Sequence, residues 1–485
     1  MSQEKANINL TNWEIVGINP NDKNWTCGDM FSFWAINIQS LIGFSLVASL
    51  YLVYDLNIFI VFSSCLLAGL LIAIFANLAG NPSQKYGLPF PVILRSSFGV
   101  GGARYVALLR GIVGIFMFGV QTFFISKSVG YLIRILFFYV DDAILDHELL
   151  LTFLMGMDLI DWLSFVLALI LQFYLFKQGQ NFIRSILNFS AWFVYSGLLI
   201  FIIVVAGENS KEIINAFKLS AKTENLISRE NLIALTSITG TLFAYFSIVI
   251  LNIGDFSRYI KNSSENSKGN FSLIINLIIF SFASVFIVLG ADIVMAKQFL
   301  EVDQLLTNPT DIIGKIDNNY LTVIAILFIL IASGSTNMIA NYIPTQNTLL
   351  NFFPKNFDKT NSGLLIIILG LLFGGLWLPI LSQSGVLSII DTIGSFFGPI
   401  AGVIIADYYL IKNKEYISKD IFSDSKTATY YYSGGWQIKG VYAMFIGFIF
   451  AASTIWNVEL RFLQSFAWLI GVFVSYITYY LMASK

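Results

Sequence analysis

The chain has 485 residues, of which 56% are hydrophobic and only 12% are charged. Its mean hydropathy is +0.75, and a soluble domain would carry roughly 25% charged residues. This composition excludes an ordinary soluble protein, and the formal net charge of −1 gives no reason to expect nucleic acid as a partner.

The apolar residues form about twelve stretches of roughly 17–25 residues, each long enough to cross a bilayer as a helix. We therefore predict an all-α integral membrane protein. Span 3 is too long for one crossing, so we expect it to include an extra helix along the membrane face. The predicted spans 1 to 12 are 28–53, 57–80, 103–138, 160–177, 184–206, 232–260, 270–297, 319–344, 362–378, 384–411, 438–457 and 462–481.

Charge in the connections predicts the orientation. Residues 1–27 are polar and lack the apolar run of a signal peptide, so we expect a cytoplasmic tail. The polar connection 412–437 carries several lysines, whereas the loop before span 4 carries Asp141, Asp142 and Asp146. Because positive charge is retained inside, the sequence predicts a multi-pass protein of the cell membrane with both termini in the cytoplasm and an external loop at 207–231.

Several spans carry polar residues near their centres. In chain order these are Asn37 and Gln39 in span 1, Gln121 in span 3, hydroxyl residues in span 6, Asn341 in span 8 and Asp391 in span 10. Lipid offers them no hydrogen-bond partner. One such cluster is explained by helix packing, but several at a similar depth favour a transport pathway.

Several motifs, in order along the chain, resemble the nucleobase–cation symporter-1 family of hydantoin, allantoin, cytosine, uracil and purine permeases. The most specific is YGLPFPVILRSSFG at 86–99, between spans 2 and 3. The others are ALLR at 107–110, GVQT at 119–122, LNIGDFSR at 251–258, STNMIAN at 335–341 and GPIAGVIIADY at 398–408.

The resemblance implies a leucine-transporter-like fold of two inverted five-helix repeats. The repeats would occupy 28–206 and 232–411, followed by two extra C-terminal helices within 438–485. Spans 1, 2, 6 and 7 would form a bundle that moves against a scaffold of spans 3, 4, 8 and 9. Alternating access around a site at the membrane midplane is the implied mechanism.

The resemblance also implies a sodium site made of main-chain oxygens of spans 1 and 8 and two hydroxyls. Sodium is a hard cation that suits oxygen ligands, and a broken helix frees carbonyl groups to provide them. The matching positions are Ala35, Ile38, Ala332, Ser335 and Thr336.

The implied solute site stacks a flat heterocycle on aromatic rings and hydrogen-bonds its amide edge. Gln39, Gln121 and Asn341 match the polar positions, and each amide side chain offers both donors and an acceptor. Phe246 matches the aromatic of span 6. Met117 stands where the family usually has Trp in span 3, which would suit a bulkier or less planar solute.

Two further charged residues, Asp391 in span 10 and Arg110 in span 3, need an interpretation. Asp391 would carry a proton or hold a cationic group of the solute, or it would be a structural carboxylate bonded to Thr392 or Ser395. For Arg110, closer to a membrane face, we expect a charged end that reaches the interface.

The sequence thus predicts a cation-coupled secondary transporter, with sodium as the coupling ion, that imports a nucleobase-like heterocyclic solute. The alternative is a proton-coupled or facilitative permease for a bulkier nucleoside- or vitamin-like solute. A membrane enzyme is disfavoured because the spans hold no histidine. We expect no cofactor besides the coupling ion and no obligate protein partner, and the sequence does not name the solute.

Overall fold

The computed structural model describes residues 15–39, 57–148, 150, 152–221, 226–298, 319–383 and 386–484. The second half of span 1 and the connection between spans 7 and 8 therefore lie outside the described residues. Within the described ranges the chain is helical, which confirms the predicted all-α class.

Ten helices of the described part are long and apolar enough to cross a membrane, and Lys359–Gly375 is a shorter apolar helix. The predicted number of twelve crossings is not decided by this set, because span 1 is only half described. The principal helices are Cys27–Ile38, Ile58–Tyr86, Phe90–Val140, Leu159–Phe176, Gln180–Ser220, Arg229–Leu251, Ser263–Gln298, Asn319–Thr336, Ile343–Phe352, Lys359–Gly375, Val386–Gly394, Phe397–Ala406, Ile438–Trp456 and Ala467–Ala483.

The helices pack into the two groups expected from the resemblance. Span 2 packs against spans 6 and 7, and span 1 packs against span 7, which gives the bundle. Span 3 packs against spans 4, 8 and 9, and span 4 packs against span 9, which gives the scaffold. Spans 10, 11 and 12 pack together beside them.

Several spans are interrupted where the sequence places polar residues. The helix of span 1 ends at Ile38, and that of span 6 ends at Leu251 before a short helix, Gly254–Ser257. In span 8 the α-helix widens into a π-helix over Asn337–Tyr342. Pro344 follows this segment and lacks an N–H, so the carbonyl of Ala340 cannot receive its normal helical bond.

The expectation for span 3 was wrong in one respect. The extra helix does not lie within 103–138 but precedes it, because Gly99 (φ 81°) breaks the long helix Phe90–Val140 near its start. A Cβ at Gly99 would lie 2.5 Å from the carbonyl oxygen of Gly435. The position therefore requires glycine both for its backbone angle and for this close approach.

The expected external loop 207–231 is also largely helical. Span 5 continues as a helix to Ser220, and the next helix begins at Arg229. Ile213 is fully buried on this extension, and the ring of Phe217 packs 5.7 Å from that of Phe282 in span 7. Burial of these apolar side chains stabilises the additional turns.

Candidate functional site

A cluster of oxygen atoms joins span 8 to span 1. The hydroxyl of Thr336 lies 2.8 Å from the carbonyl oxygen of Ala332 in its own helix and 2.8 Å from the carbonyl oxygen of Ile36 in span 1. The hydroxyl of Ser335 is 3.0 Å from the same Ala332 carbonyl. The group therefore contains only main-chain and hydroxyl oxygens, the ligands that a hard monovalent cation prefers.

Of the five predicted sodium ligands, the structure brings Ala332, Ser335 and Thr336 together. The contact with span 1 runs through Ile36, which the sequence reasoning missed. The Ala35 carbonyl accepts the N–H of Gln39 at 2.9 Å, where the helix ends. Ile38 is buried at the last position of that helix. Ala35 and Ile38 remain predicted ligands.

Gln121 of span 3 and Asn341 of span 8 form a direct amide pair. Asn341 Nδ2 donates to Gln121 Oε1 at 2.9 Å. Gln121 Nε2 in turn donates to the carbonyl of Ser333 at 3.2 Å. Asn341 lies in the π-helical segment, and such segments are frequent at functional sites because they turn a side chain out of the regular pattern.

Three further polar residues, which the sequence reasoning did not assign, extend this pair into the scaffold. Asn337 Oδ1 accepts from Asn341, and Asn337 Nδ2 donates to Thr122 Oγ1 and Gln172 Oε1. Asn337 is fully buried, and Gln172 lies in span 4 with 5% of its surface exposed. The sequence signal that could have identified Gln172 was a single amide side chain in a mostly apolar span.

Of the remaining predicted solute residues, Phe246 and Gln39 belong to the bundle and Met117 belongs to the scaffold. Phe246 is 2% exposed and meets the Trp34 ring edge-on at 6.2 Å. Gln39 Nε2 lies 3.4 Å from the Ala191 carbonyl of span 5. Met117 is half-buried in span 3, four residues before Gln121.

Asp391 differs from the other candidates because its side chain is exposed. The Ser395 hydroxyl donates to the Thr392 carbonyl, not to the Asp391 carboxylate. Among the described residues we find no hydrogen bond to that carboxylate. The structural interpretation through Thr392 or Ser395 is therefore unsupported, and a functional role stays a prediction.

The expectation for Arg110 was wrong, because the side chain is fully buried and does not reach the interface. Its Nε donates to Asn252 Oδ1 at 3.0 Å, where span 6 is broken. Its Nη2 donates to the carbonyl of Ala340, which cannot receive the usual helical bond from position 344 because that residue is Pro. Arg110 thus bridges the scaffold and the bundle.

A buried carboxylate lies beyond Arg110. Asp255, in the short helix after the break of span 6, is 1% exposed. Its Oδ1 accepts from Asn347 Nδ2 at 2.9 Å and from the backbone N–H of Phe90 at 3.1 Å. These bonds tie span 8 and the segment before span 3 to the bundle.

The arrangement defines a class of protein. Interrupted membrane helices of two bodies meet at a buried patch of hydroxyls, amides and main-chain carbonyls, as in secondary transporters. Within the described residues, no three His, Cys, Asp or Glu side chains are grouped to hold a metal ion. The molecule is a multi-pass membrane transporter.

Comparison with known proteins identifies the family. A family model described as permease for cytosine/purines, uracil, thiamine and allantoin matches residues 18–480. The chain therefore belongs to the nucleobase–cation symporter-1 family of permeases, and it is not an enzyme. It is 27% identical to an allantoin permease of Bacillus subtilis over 99% of this chain and 94% of that protein. It is 28% identical to the purine-uracil permease NCS1 of Arabidopsis thaliana over 91% of this chain and 70% of that protein.

Solved structures confirm the transporter fold. The closed, bromovinylhydantoin-bound form of Mhp1, a nucleobase-cation-symport-1 family transporter, matches with a TM-score of 0.70 and 16% identity, covering 97% of this chain and 95% of that one. A Na+-coupled sialic acid symporter matches with a TM-score of 0.67 and 13% identity, covering 99% and 92%. Both likenesses concern the fold.

Proposed function

We propose that the protein is a sodium-coupled symporter that imports a ureide- or nucleobase-like heterocyclic solute by alternating access. The solute lies between spans 1, 3, 6 and 8, with Phe246 against one face of the ring and the Gln121–Asn341 pair on its polar edge. Sodium occupies the oxygen cluster at Thr336. Both termini lie in the cytoplasm.

One observation carries the proposal. The Thr336 hydroxyl lies within 2.8 Å of a carbonyl oxygen in each of the two bodies, Ile36 in the bundle and Ala332 in the scaffold. A cation at this point takes ligands from both bodies, so its binding depends on their relative position. This dependence is what couples an ion to a conformational change.

The relatives support the solute class. Curated relatives are named allantoin permease, purine-uracil permease and hydantoin permease, and the Mhp1 structure contains bromovinylhydantoin. Allantoin, uracil and the hydantoins each carry at least one –NH–CO– edge on a flat ring. An amide pair at Gln121 and Asn341 has the hydrogen-bonding groups to pair with such an edge.

The test is a solute panel in a thermal-unfolding assay of the purified protein, in sodium and in choline buffer. The panel contains allantoin, hydantoin, uracil, cytosine and hypoxanthine. We expect sodium alone to raise the unfolding temperature, and at least one solute to bind more tightly in sodium, because two ligands that favour one conformation strengthen each other.

Thr336→Ala tests the ion site within the same assay. The variant should need more sodium for the same stabilisation, with the fold intact. Thr236→Ala is the matched control, because its hydroxyl also bonds the carbonyl four residues earlier but is exposed on span 6. Wild-type sodium dependence in Thr336→Ala, or uptake that is unchanged in choline, would contradict the sodium proposal.

Proton coupling is the second candidate, and the exposed carboxylate of Asp391 is the observation that favours it. This alternative goes with a bulkier solute, for which Met117 leaves more room than the family's usual Trp. Proton coupling replaces sodium coupling as the proposal if uptake into vesicles persists in choline and follows an imposed pH gradient.

A further inference from the structure

The Gln121–Asn341 pair has one hydrogen-bond acceptor and one N–H donor that its own contacts do not use. Asn341 uses both of its N–H groups, on Gln121 Oε1 and Asn337 Oδ1, each at 2.9 Å. Gln121 uses one of its two N–H groups on the Ser333 carbonyl. Within the described part of the chain, nothing donates to Asn341 Oδ1. The pair therefore offers an acceptor at Asn341 and a donor at Gln121.

This polarity needs a cause, because a side-chain amide that rotates by half a turn exchanges its donor and acceptor. The cause begins at Asn337. Its Nδ2 donates to Gln172 Oε1 at 2.8 Å and to Thr122 Oγ1 at 3.0 Å, so its oxygen is directed towards Asn341. That oxygen can only accept, so Asn341 must present its N–H groups to it.

Gln172 fixes the orientation of these hydrogen-bonded amides. Its Nε2 donates to the backbone carbonyl of Ala168 at 3.2 Å and to Thr122 Oγ1 at 3.1 Å. Thr122 gives its one proton to the Phe118 carbonyl at 2.7 Å, so its oxygen only accepts. A rotated Gln172 would set its own oxygen against two acceptors in a buried place, which is unfavourable.

We propose that Gln172 is a positioning residue that sets the polarity of the candidate pocket through Asn337. The pocket then selects solutes that present an N–H to Asn341 and a C=O to Gln121, the edge of a ureide, imide or lactam. This inference rests on the proposed function. It adds a residue of span 4, remote from the solute, that determines specificity.

The experiment compares ring compounds that differ at one N–H. The hydantoin series is hydantoin, 1-methylhydantoin, 3-methylhydantoin and oxazolidine-2,4-dione, in which a ring oxygen replaces an N–H at nearly the same size. The uracil series is uracil, 1-methyluracil and 3-methyluracil. Dissociation constants are measured in sodium, and the readout is the ratio between each analogue and its parent.

In the wild type, the analogue that lacks the paired N–H should bind roughly 5- to 150-fold more weakly than its parent, because it leaves a buried acceptor unpaired. Gln172→Met keeps the length of the side chain and removes its polar end. Asn341 is then free to turn its N–H towards the analogue, and we expect the ratio to fall by about fivefold or more. Thr122→Val should lower the ratio in the same direction.

Gln178→Met is the matched control, since Gln178 also bonds the carbonyl four residues earlier but is exposed beyond the end of the same helix. A merely structural role for Gln172 would weaken parent and analogue equally and leave the ratio unchanged. If a parent binds and neither Gln172→Met nor Thr122→Val changes the ratio, the inference is wrong and the proposed function stands. If neither parent binds the wild type, the inference is wrong, and if none of the five panel solutes binds either, the proposed function is wrong as well.

Discussion

At the scale of single residues, Asp391 is a carboxylate whose role the fold does not explain. Its side chain is exposed within span 10, so its replacement should change the free energy of unfolding by less than about 0.5 kcal/mol. An ionisable group at this depth is functional by default. We expect Asp391→Asn to reduce uptake and to abolish its pH dependence while the unfolding temperature stays that of the wild type.

Uptake by reconstituted vesicles between pH 5.5 and 8 is the measurement for this prediction. Glu459→Gln is the control, since Glu459 is an exposed carboxylate in the connection before span 12. Wild-type rate and pH profile in Asp391→Asn would leave the residue without a role in transport.

The polar residues show how far sequence reasoning reaches at this scale. Asn341 and Gln121 were predicted because each is an amide in an apolar span and each matches a motif, and the structure places them in contact. Gln172 was missed because no motif marks span 4. Arg110 was misplaced because distance along a span does not show which way a side chain points. Long-range packing decides that direction.

At the scale of helices, Arg110 compensates for the hydrogen bond that Pro344 cannot make. The proline leaves the Ala340 carbonyl without its helical donor, and the guanidinium replaces that donor from span 3. Arg110→Met removes this donor from two acceptors, the partly buried carbonyl of Ala340 and the buried Oδ1 of Asn252. At about 1–3 kcal/mol for each of the two groups, we expect a loss of about 2–6 kcal/mol in the free energy of unfolding, measured by denaturant titration in detergent.

A double substitution makes this prediction specific. Pro344→Ala restores an N–H that can bond the Ala340 carbonyl, so Arg110→Met should cost less in that background than alone. Arg104→Met is the control on the same helix, because Arg104 is partly exposed and pairs with Asp424 at 3.2 Å, an arrangement worth about 0–1 kcal/mol. If the two substitutions change the free energy of unfolding in a strictly additive way, Arg110 does not compensate for Pro344.

Some helix boundaries could be predicted from the sequence and others could not. The interruptions of spans 1, 6 and 8 follow from polar residues and Pro344, so their existence was predictable. The extension of span 5 to Ser220 was not. The extension depends on contacts that Ile213 and Phe217 make with apolar side chains. Those side chains lie far away in the sequence, so a local hydropathy average does not include them.

At the scale of the whole molecule, basic residues from distant segments gather on one face. Lys23 Nζ donates to the carbonyls of Gln84 and Lys85 at the end of span 2. Lys85 Nζ donates to the Lys414 carbonyl at 2.8 Å, in the connection after span 10. Segments far apart in sequence thus bring their positive charges to one side, which a count of charges in separate loops could only suggest.

That face should be cytoplasmic, because positive charge near the ends of membrane helices is retained inside. With Cys27→Ser as background, Ser484→Cys at the exposed C-terminus should react with a membrane-impermeant maleimide only after cells are permeabilised. Lys211→Cys, on the exposed extension of span 5, should react in intact cells. Cys65 is buried and stays in place as an unreactive internal control. The opposite labelling pattern would place the C-terminus outside and contradict the proposed orientation.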